Sequence, residues 1–386
     1  MSTLLGDKIE TGAVFRRVDR WGRLGATALD PQSVNAILKA PADLLYNGGI
    51  GTYVRASTET DAAAGDRAND AIRIAGGMLR CKVIGEGANL GMTQRGRIEA
   101  ANSGVRLNTD AIDNSAGVDT SDHEVNIKIL VGSAVTNGVL AADDRAPLLA
   151  SMTDEVGRKV LAHNYDQTLA LTLQQAEGVK ALDSQQRFMQ ALAAKGKLDR
   201  KVEGLPNDAR VKEMMTAGVP LARPELAVLT AYAKLELSDD IVASAAPEDP
   251  FFEQILVRYF PEPLARFEPE MKSHRLRREI IATVMANEVV NMCGPTFPDR
   301  LRGSAECDTT ALIIAFEAAR RDVALVGGST VDVTTPNGIF PRGSAKNSAS
   351  ATAPRSSMSS ALITATTTSR TATRTRTAPM CASIST

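Results

Sequence analysis

Aromatic side chains are scarce in this chain of 386 residues: Phe, Trp and Tyr together make up 4% of it, with a single tryptophan. A core of ordinary size therefore has to be built from Ala, Leu, Val and Ile, and the 44% hydrophobic content is enough for one. The four cysteines, Cys81, Cys293, Cys307 and Cys381, show no C-x-x-C spacing. This argues against a disulfide scaffold and a structural zinc site, and for a reducing compartment. With a net charge of −1 the chain lacks the basic excess of a nucleic-acid binder. No apolar run is long enough to span a bilayer, and the first residues lack the apolar centre of a signal peptide. A cytoplasmic protein with no nucleic-acid and no membrane partner is expected.

What is present concentrates in residues 79–131. An apolar run at 81–84 breaks at Gly85-Glu86-Gly87-Ala88-Asn89, and a buried strand entering a Gly-rich turn is where an α/β sheet offers backbone N–H groups to a ligand. A second strand is expected at 105–107. It leads through Asn108 to Asp113 into Asn114-Ser115-Ala116-Gly117-Val118, after which Asp119-Thr120-Ser121-Asp122 reads as the capped start of a helix. Residues 94–101 between them read as a crossover helix, so the unit is strand, turn, helix, strand, turn, helix. That order favours a parallel sheet with both turns on one edge. Gly85, Gly87 and Gly91 are spaced G-x-G-x-x-x-G, one residue too long for the dinucleotide fingerprint, and are read as a decoy for it. Asparagine also closes turns without a ligand, which is the bland alternative for Asn89 and Asn114.

At these residues the sequence resembles the NAD-dependent glutamate dehydrogenases, and among them the large bacterial NAD-specific class, over about residues 38–321. The family's A-E-G-A-N and N-A-G-G-V motifs correspond here to Gly85-Glu86-Gly87-Ala88-Asn89 and Asn114-Ser115-Ala116-Gly117-Val118. The resemblance implies NAD as cofactor, with Asn89 and Asn114 bonding its nicotinamide end and Gly87, Ala88 and Ser115 lining it. It implies L-glutamate and 2-oxoglutarate as the substrate pair, with Ser121 binding the side-chain carboxylate. A hydroxyl at a helix N-terminus suits that task. The substrate-holding lysine, the acid/base carboxylate and the phosphate-cradling turn are implied to lie upstream of residue 1. A homo-oligomer, or a partner carrying the upstream remainder, is expected.

The flanking sequence divides into an irregular segment at 1–32, the C-terminal half of an NAD-binding domain at 33–140, a helical domain at 141–325 and a disordered tail at 326–386. The fold class expected is thus α/β followed by all-α, with a partial Rossmann-like parallel sheet. Residues 43–46 form a short strand that breaks at Asn47-Gly48-Gly49-Ile50-Gly51-Thr52, either a loop over the cofactor or a plain turn. The charged, Ala-rich segment 57–75, with Asp61, Asp66, Arg67 and Asp70, is read as a solvated face. His123 is read as a surface or helix-packing residue. Helices are expected at 143–150, 152–163, 167–177, 184–198, from Arg223 onward, and at 275–292, where R-P-E-L-A-V-L and H-R-L-R-R-E-I-I-A-T also match the large bacterial class. Beyond 326, Ser, Thr, Ala and Arg dominate and the resemblance stops, through a shifted reading frame or a genuine linker. The alternative to a partial dehydrogenase is a non-catalytic module that binds a nucleotide or a subunit.

Overall fold

The computed structural model describes residues 30–49, 51–305 and 307–326. The expected irregular segment lies outside them up to residue 29, as does the expected disordered tail beyond 326. The described chain is mostly helical with a small parallel sheet.

Helix α1 (Pro31–Leu38) starts where Asp30 accepts the Ser33 N–H at 2.9 Å, with Pro31 at the first helical position. Strand β1 (Leu44–Asn47) pairs in parallel with β4 (Val83–Glu86), in a register running from Leu44 opposite Val83 to Asn47 opposite Glu86. The expected strand at 105–107 is reduced to a bridge. Its Arg106 N–H reaches the Lys82 carbonyl and its carbonyl takes the Ile84 N–H, both at 2.9 Å. A second parallel pair joins β2 (Val54–Arg55) to β3 (Ile74–Ala75). The crossover expected at 94–101 is α3 (Gln94–Asn102), capped by Thr93, whose hydroxyl accepts the Gly96 N–H at 3.0 Å.

Alternation along β1 and β4 turns Asn47, Ile84 and Glu86 inward and leaves Leu44, Tyr46 and Val83 exposed. Ile84 joins Val54, Ile74, Leu79, Cys81, Met92, Ala100, Val105 and Leu107 in a core built of small and aliphatic side chains, whereas elsewhere phenylalanines such as Phe252 and Phe316 are fully buried. Two glycines set how closely α3 approaches. A Cβ on Gly96 would stand 2.9 Å from the Arg55 carbonyl carbon, and one on Gly76 would stand 2.6 Å from the Gly96 oxygen.

The segment read as a solvated face is also organised around a residue that the charge pattern hid. Arg73 has a fully buried side chain and donates to the Thr52 carbonyl at 2.8 Å, to Asp70 at 2.6 Å, to Asp61 at 3.1 Å and to the Asp66 carbonyl. Short α2 (Asp61–Ala64) and the turns around it wrap this guanidinium. Asp61 and Asp70 keep 42% and 41% of their side-chain surface exposed, so the acids remain a solvated face on one side while serving as acceptors for the one buried guanidinium on the other.

The helices that follow are α4 (Asp110–Asp113), α5 (Ser115–Thr136), α6 (Arg145–Ser151), α7 (Thr153–Glu177), α8 (Leu182–Ala194), α9 (Asp208–Ala217) and α10 (Arg223–Ala243). After them come α11 (Glu253–Tyr259), α12 (Glu268–Lys272), α13 (Arg277–Cys293), α14 (Phe297–Ala305) and α15 (Thr309–Val326). The two helices expected at 152–163 and 167–177 are one, because no glycine or proline interrupts residues 158–177. The chain clusters into two compact units. One holds the chain to Val118 together with Gln174–Leu229, and the other holds Asp119–Leu173 and the chain from Thr230. The second unit is all helical among the described residues, and α13 packs in it against α11, α14 and α15. Ile281, Met285, Val289 and Phe316 are fully buried there. No described helix is long and apolar enough to cross a membrane.

Candidate functional site

Strand β4 ends on Glu86, whose side chain has no exposure and forms a two-pronged ion pair with Arg97 of α3, at 2.7 and 2.8 Å. Arg97 also reaches Asp110 at 3.1 Å. Burial pushes the Glu86 carboxyl up, and the bonds and charge of Arg97 oppose that shift. The pair therefore fixes the end of the strand to the crossover helix at the point where the chain turns into Gly87-Ala88-Asn89.

Two aspartates then join this turn to the second one. Asp113 accepts the Glu86 N–H at 3.0 Å, and Asp110 accepts the Leu90 N–H at 2.8 Å. Asn108 donates to the other oxygen of Asp113 at 2.6 Å and accepts from Arg223, at the start of α10, at 2.5 Å. The turns thus face each other, and the Asn114 amide donates to the Asn89 side-chain oxygen at 3.0 Å. Asn89 is exposed, Gly87, Asn114 and Ser115 are half-buried, and Ala88 is buried. Of the residues selected by sequence, five converge here: Gly87, Ala88, Asn89, Asn114 and Ser115.

Neither asparagine takes the left-handed backbone that a turn-closing asparagine uses. Asn114 has φ −100°, and the non-glycine residue with positive φ among the described residues is Leu90, at 61°. The glycine spacing answers to packing. The Tyr46 ring lies against the turn, so that a Cβ on Gly87 would meet its hydroxyl at 1.9 Å, and one on Gly91 would meet the Asn47 amide nitrogen at 2.8 Å. The Asn47 amide nitrogen is buried and has no partner among the described residues, a donor of the kind that an ordered water or a ligand oxygen satisfies.

Ser121 requires a correction. Helix α5 begins at Ser115, so Ser121 stands within the helix and exposed, and the N-terminal anchoring read from Asp119-Thr120-Ser121-Asp122 does not apply. The Asn114 corner runs directly into the helix, with no break for a cap at Asp119. His123 also departs from a surface role, since it is 1% exposed and packs stacked on Tyr259 at 4.6 Å. Its Nδ1 lies 3.1 Å from the Asp119 carboxylate, whose other oxygen is 2.7 Å from His163 Nδ1. Although burial works to raise it, the bonds from the two imidazoles hold Asp119 well below the usual carboxylate range. Among the described residues no group of three such side chains is placed to hold a metal ion, and the His123 ring packs on Tyr259.

Residues that the sequence did not single out carry much of the geometry: Arg97, Asp110, Asp113 and Arg223. Glu225, two residues past Arg223, closes that turn by accepting the Ala222 N–H at 2.6 Å. Burial lifts its carboxyl to about 7, against the pull of that N–H. Between its ordinary value of 4.5 and about 7, the folded chain holds a proton that the unfolded chain releases. The stabilisation is complete below the lower value and is lost as pH rises through the upper one. About 1.4 kcal/mol per pH unit makes this about 3 kcal/mol. Melting of the wild-type chain should therefore fall from pH 5 to pH 8 more steeply than that of Glu225→Gln, and parallel profiles would contradict this assignment.

A family described as bacterial NAD-glutamate dehydrogenase, catalytic domain, matches residues 13–174, and one described as glutamate dehydrogenase, C-terminal, matches residues 218–326. The chain is thus of the glutamate dehydrogenase class, and within it belongs to the bacterial NAD-specific glutamate dehydrogenase family. It is 49% identical over 288 residues to the NAD-specific glutamate dehydrogenase of Halomonas elongata, which covers 74% of this chain and 18% of that protein. It is 46% identical over 292 residues to the Mycobacterium tuberculosis protein of the same name, covering 75% of this chain and 18% of that one. With the Pseudomonas aeruginosa protein of that name it shares 48% over 283 residues, 73% of this chain and 17% of the other. The chain thus spans less than a fifth of the length of these relatives.

Proposed function

We propose that this chain carries the nicotinamide-binding part of an NAD-dependent glutamate dehydrogenase, with β1, β4 and residues 105–107 belonging to a Rossmann-like parallel sheet, NAD as cofactor, and L-glutamate and 2-oxoglutarate as substrates. The observation that supports it best is the Asn114–Asn89 amide pair. Once Asn114 has donated to Asn89, the pair presents an amide nitrogen of Asn89 and the amide oxygen of Asn114. An amide donor and an amide acceptor are the chemistry that complements a primary carboxamide, the group that nicotinamide carries. The residues fit the nicotinamide end; at the Gly85–Gly91 turn the Tyr46 ring and the Asn47 amide lie against the glycines.

When bound, oxidised NAD supplies the hydride acceptor for amino-acid oxidation. The chain's own residues bind and orient: the asparagines hold the carboxamide and fix which face of the ring is presented, and Asp110 and Asp113 keep the asparagines in register. Ser121 as a contact for the substrate's side-chain carboxylate rests on the family resemblance, without help from a helix N-terminus.

Titrating NADH into the full chain tests the reading. Asn114→Ala and Asn89→Ala should each weaken binding about tenfold, the loss of a hydrogen bond worth about 1–1.5 kcal/mol. Their melting temperatures should stay close to that of the wild type, because both side chains lie outside the core. Ser121→Ala should leave NADH affinity unchanged. Unaltered affinity in both asparagine variants would refute the reading.

A further inference from the structure

Leu90 holds a backbone conformation that disfavours any residue with a Cβ, and glycine is the residue that such a backbone ordinarily selects. The conformation is imposed from both sides. Its N–H donates to Asp110 at 2.8 Å, and its carbonyl accepts from the Thr52 hydroxyl at 2.9 Å. Burial does not compensate, because Leu90 is 66% exposed. Folding therefore loses on backbone strain and gains almost nothing from the side chain, and nothing among the described residues accounts for a leucine at this position. Strain over-determined by surrounding bonds collects at ligand sites.

The position is informative. Leu90 directly follows Asn89, and two further exposed apolar residues adjoin the same turns: Tyr46, whose ring lies against Gly87, and Val118, one helical turn past Asn114. A polar pair edged by apolar side chains is how small planar ligands are held, with the polar groups fixing orientation and the apolar ones covering the faces. We propose that Leu90 is a ligand-contact residue whose isobutyl group covers one face of the nicotinamide ring while Asn89 and Asn114 hold its carboxamide. The proposal rests on the nicotinamide reading above and adds a residue that sets how the ring is oriented.

The test uses the full chain, NADH fluorescence titration and thermal melting, with Leu90→Gly, Leu90→Met and Asn114→Ala. Leu90→Gly should melt at or above the wild-type temperature, since its backbone is relaxed, and should bind NADH about tenfold more weakly. Leu90→Met keeps an apolar side chain on the same backbone and should bind as the wild type does. Wild-type affinity in Leu90→Gly alongside weakened Asn114→Ala would overturn the role of Leu90 and leave the nicotinamide reading standing. A melting temperature several degrees lower in Leu90→Gly would overturn it too, by showing that the side chain packs within the chain. Wild-type affinity in both variants, or no binding by the wild type, would overturn the nicotinamide reading and this inference with it.

Discussion

Arg97→Met should destabilise the sheet-bearing unit by about 3–5 kcal/mol, the cost typical of stripping a buried charge of its partner. The Glu86 carboxylate, with no exposure, would lose both of its Arg97 bonds. Glu86→Gln should cost less, because a neutral amide tolerates burial better and can still accept from Arg97. The double variant Glu86→Gln with Arg97→Met should recover much of the single Arg97→Met loss, since it leaves no uncompensated charge at the strand end. Urea denaturation of the four proteins decides the matter. A double variant no more stable than Arg97→Met would mean that the pair does not govern this corner, and the site would have to be held by the aspartates alone.

Gly96→Ala should cost about 2–3 kcal/mol for a different reason, the overpacking of a close backbone approach. The atoms that its Cβ would meet belong to the Arg55 backbone, at 2.9 and 3.0 Å, and a strand cannot rotate away as a side chain can. Gly76→Ala would press on the same place, 2.6 Å from the Gly96 carbonyl oxygen. Both would be relieved by one outward shift of α3, so the double variant should fall well short of the sum of the singles. Strict additivity would argue against a single shared contact. Gly87→Ala makes an instructive contrast. Its clash is with the hydroxyl of exposed Tyr46, which can swing aside, and the cost should be smaller despite the shorter distance.

These two predictions mark where sequence reasoning reached and where it stopped. The short strands near 44 and 84 and the crossover at 94–101 were legible because strand runs, turns and helical spacing are local signals, but the parallel pair expected, 81–84 with 105–107, is only a bridge, and β4 pairs fully with β1 instead. The facing turns followed from them, since parallel strands end on one edge. Glu86 was legible as part of a motif but not as a buried charge, because its partner stands eleven residues away on another element and no periodicity announces it. Arg73 was missed for the same reason, whereas the acids around it were rightly read as solvated, with Asp61 and Asp70 still 42% and 41% exposed. The start of α5 was misplaced at Asp119 because Asp-Thr-Ser-Asp has cap chemistry. The helix begins at Ser115 instead, directly after the Asn114 corner. Leu90 gave no local signal at all. A leucine says nothing of φ until the bonds from Asp110 and Thr52 are seen.

The polar links among Asp110, Asp113, Asn108 and Arg223 also explain why the helical segment at 174–229 belongs to the same compact unit as the sheet. Arg223 docks the start of α10 on the turn that carries Asn114, so a helical residue far along the chain supports the proposed nicotinamide loop. Arg-Pro-Glu reads in sequence only as a helix start, and its side-chain partner lies 115 residues earlier.

The central claim is that the Asn89–Asn114 pair receives the nicotinamide carboxamide. Heteronuclear NMR of the ¹⁵N-labelled full chain, titrated with NADH, tests it most directly. The account predicts saturable, concerted shifts of the Asn89 and Asn114 side-chain NH₂ resonances together with the Gly87 and Ala88 backbone amides, and loss of those shifts in Asn114→Ala. Saturable shifts that appear elsewhere and leave these four residues unmoved would contradict it.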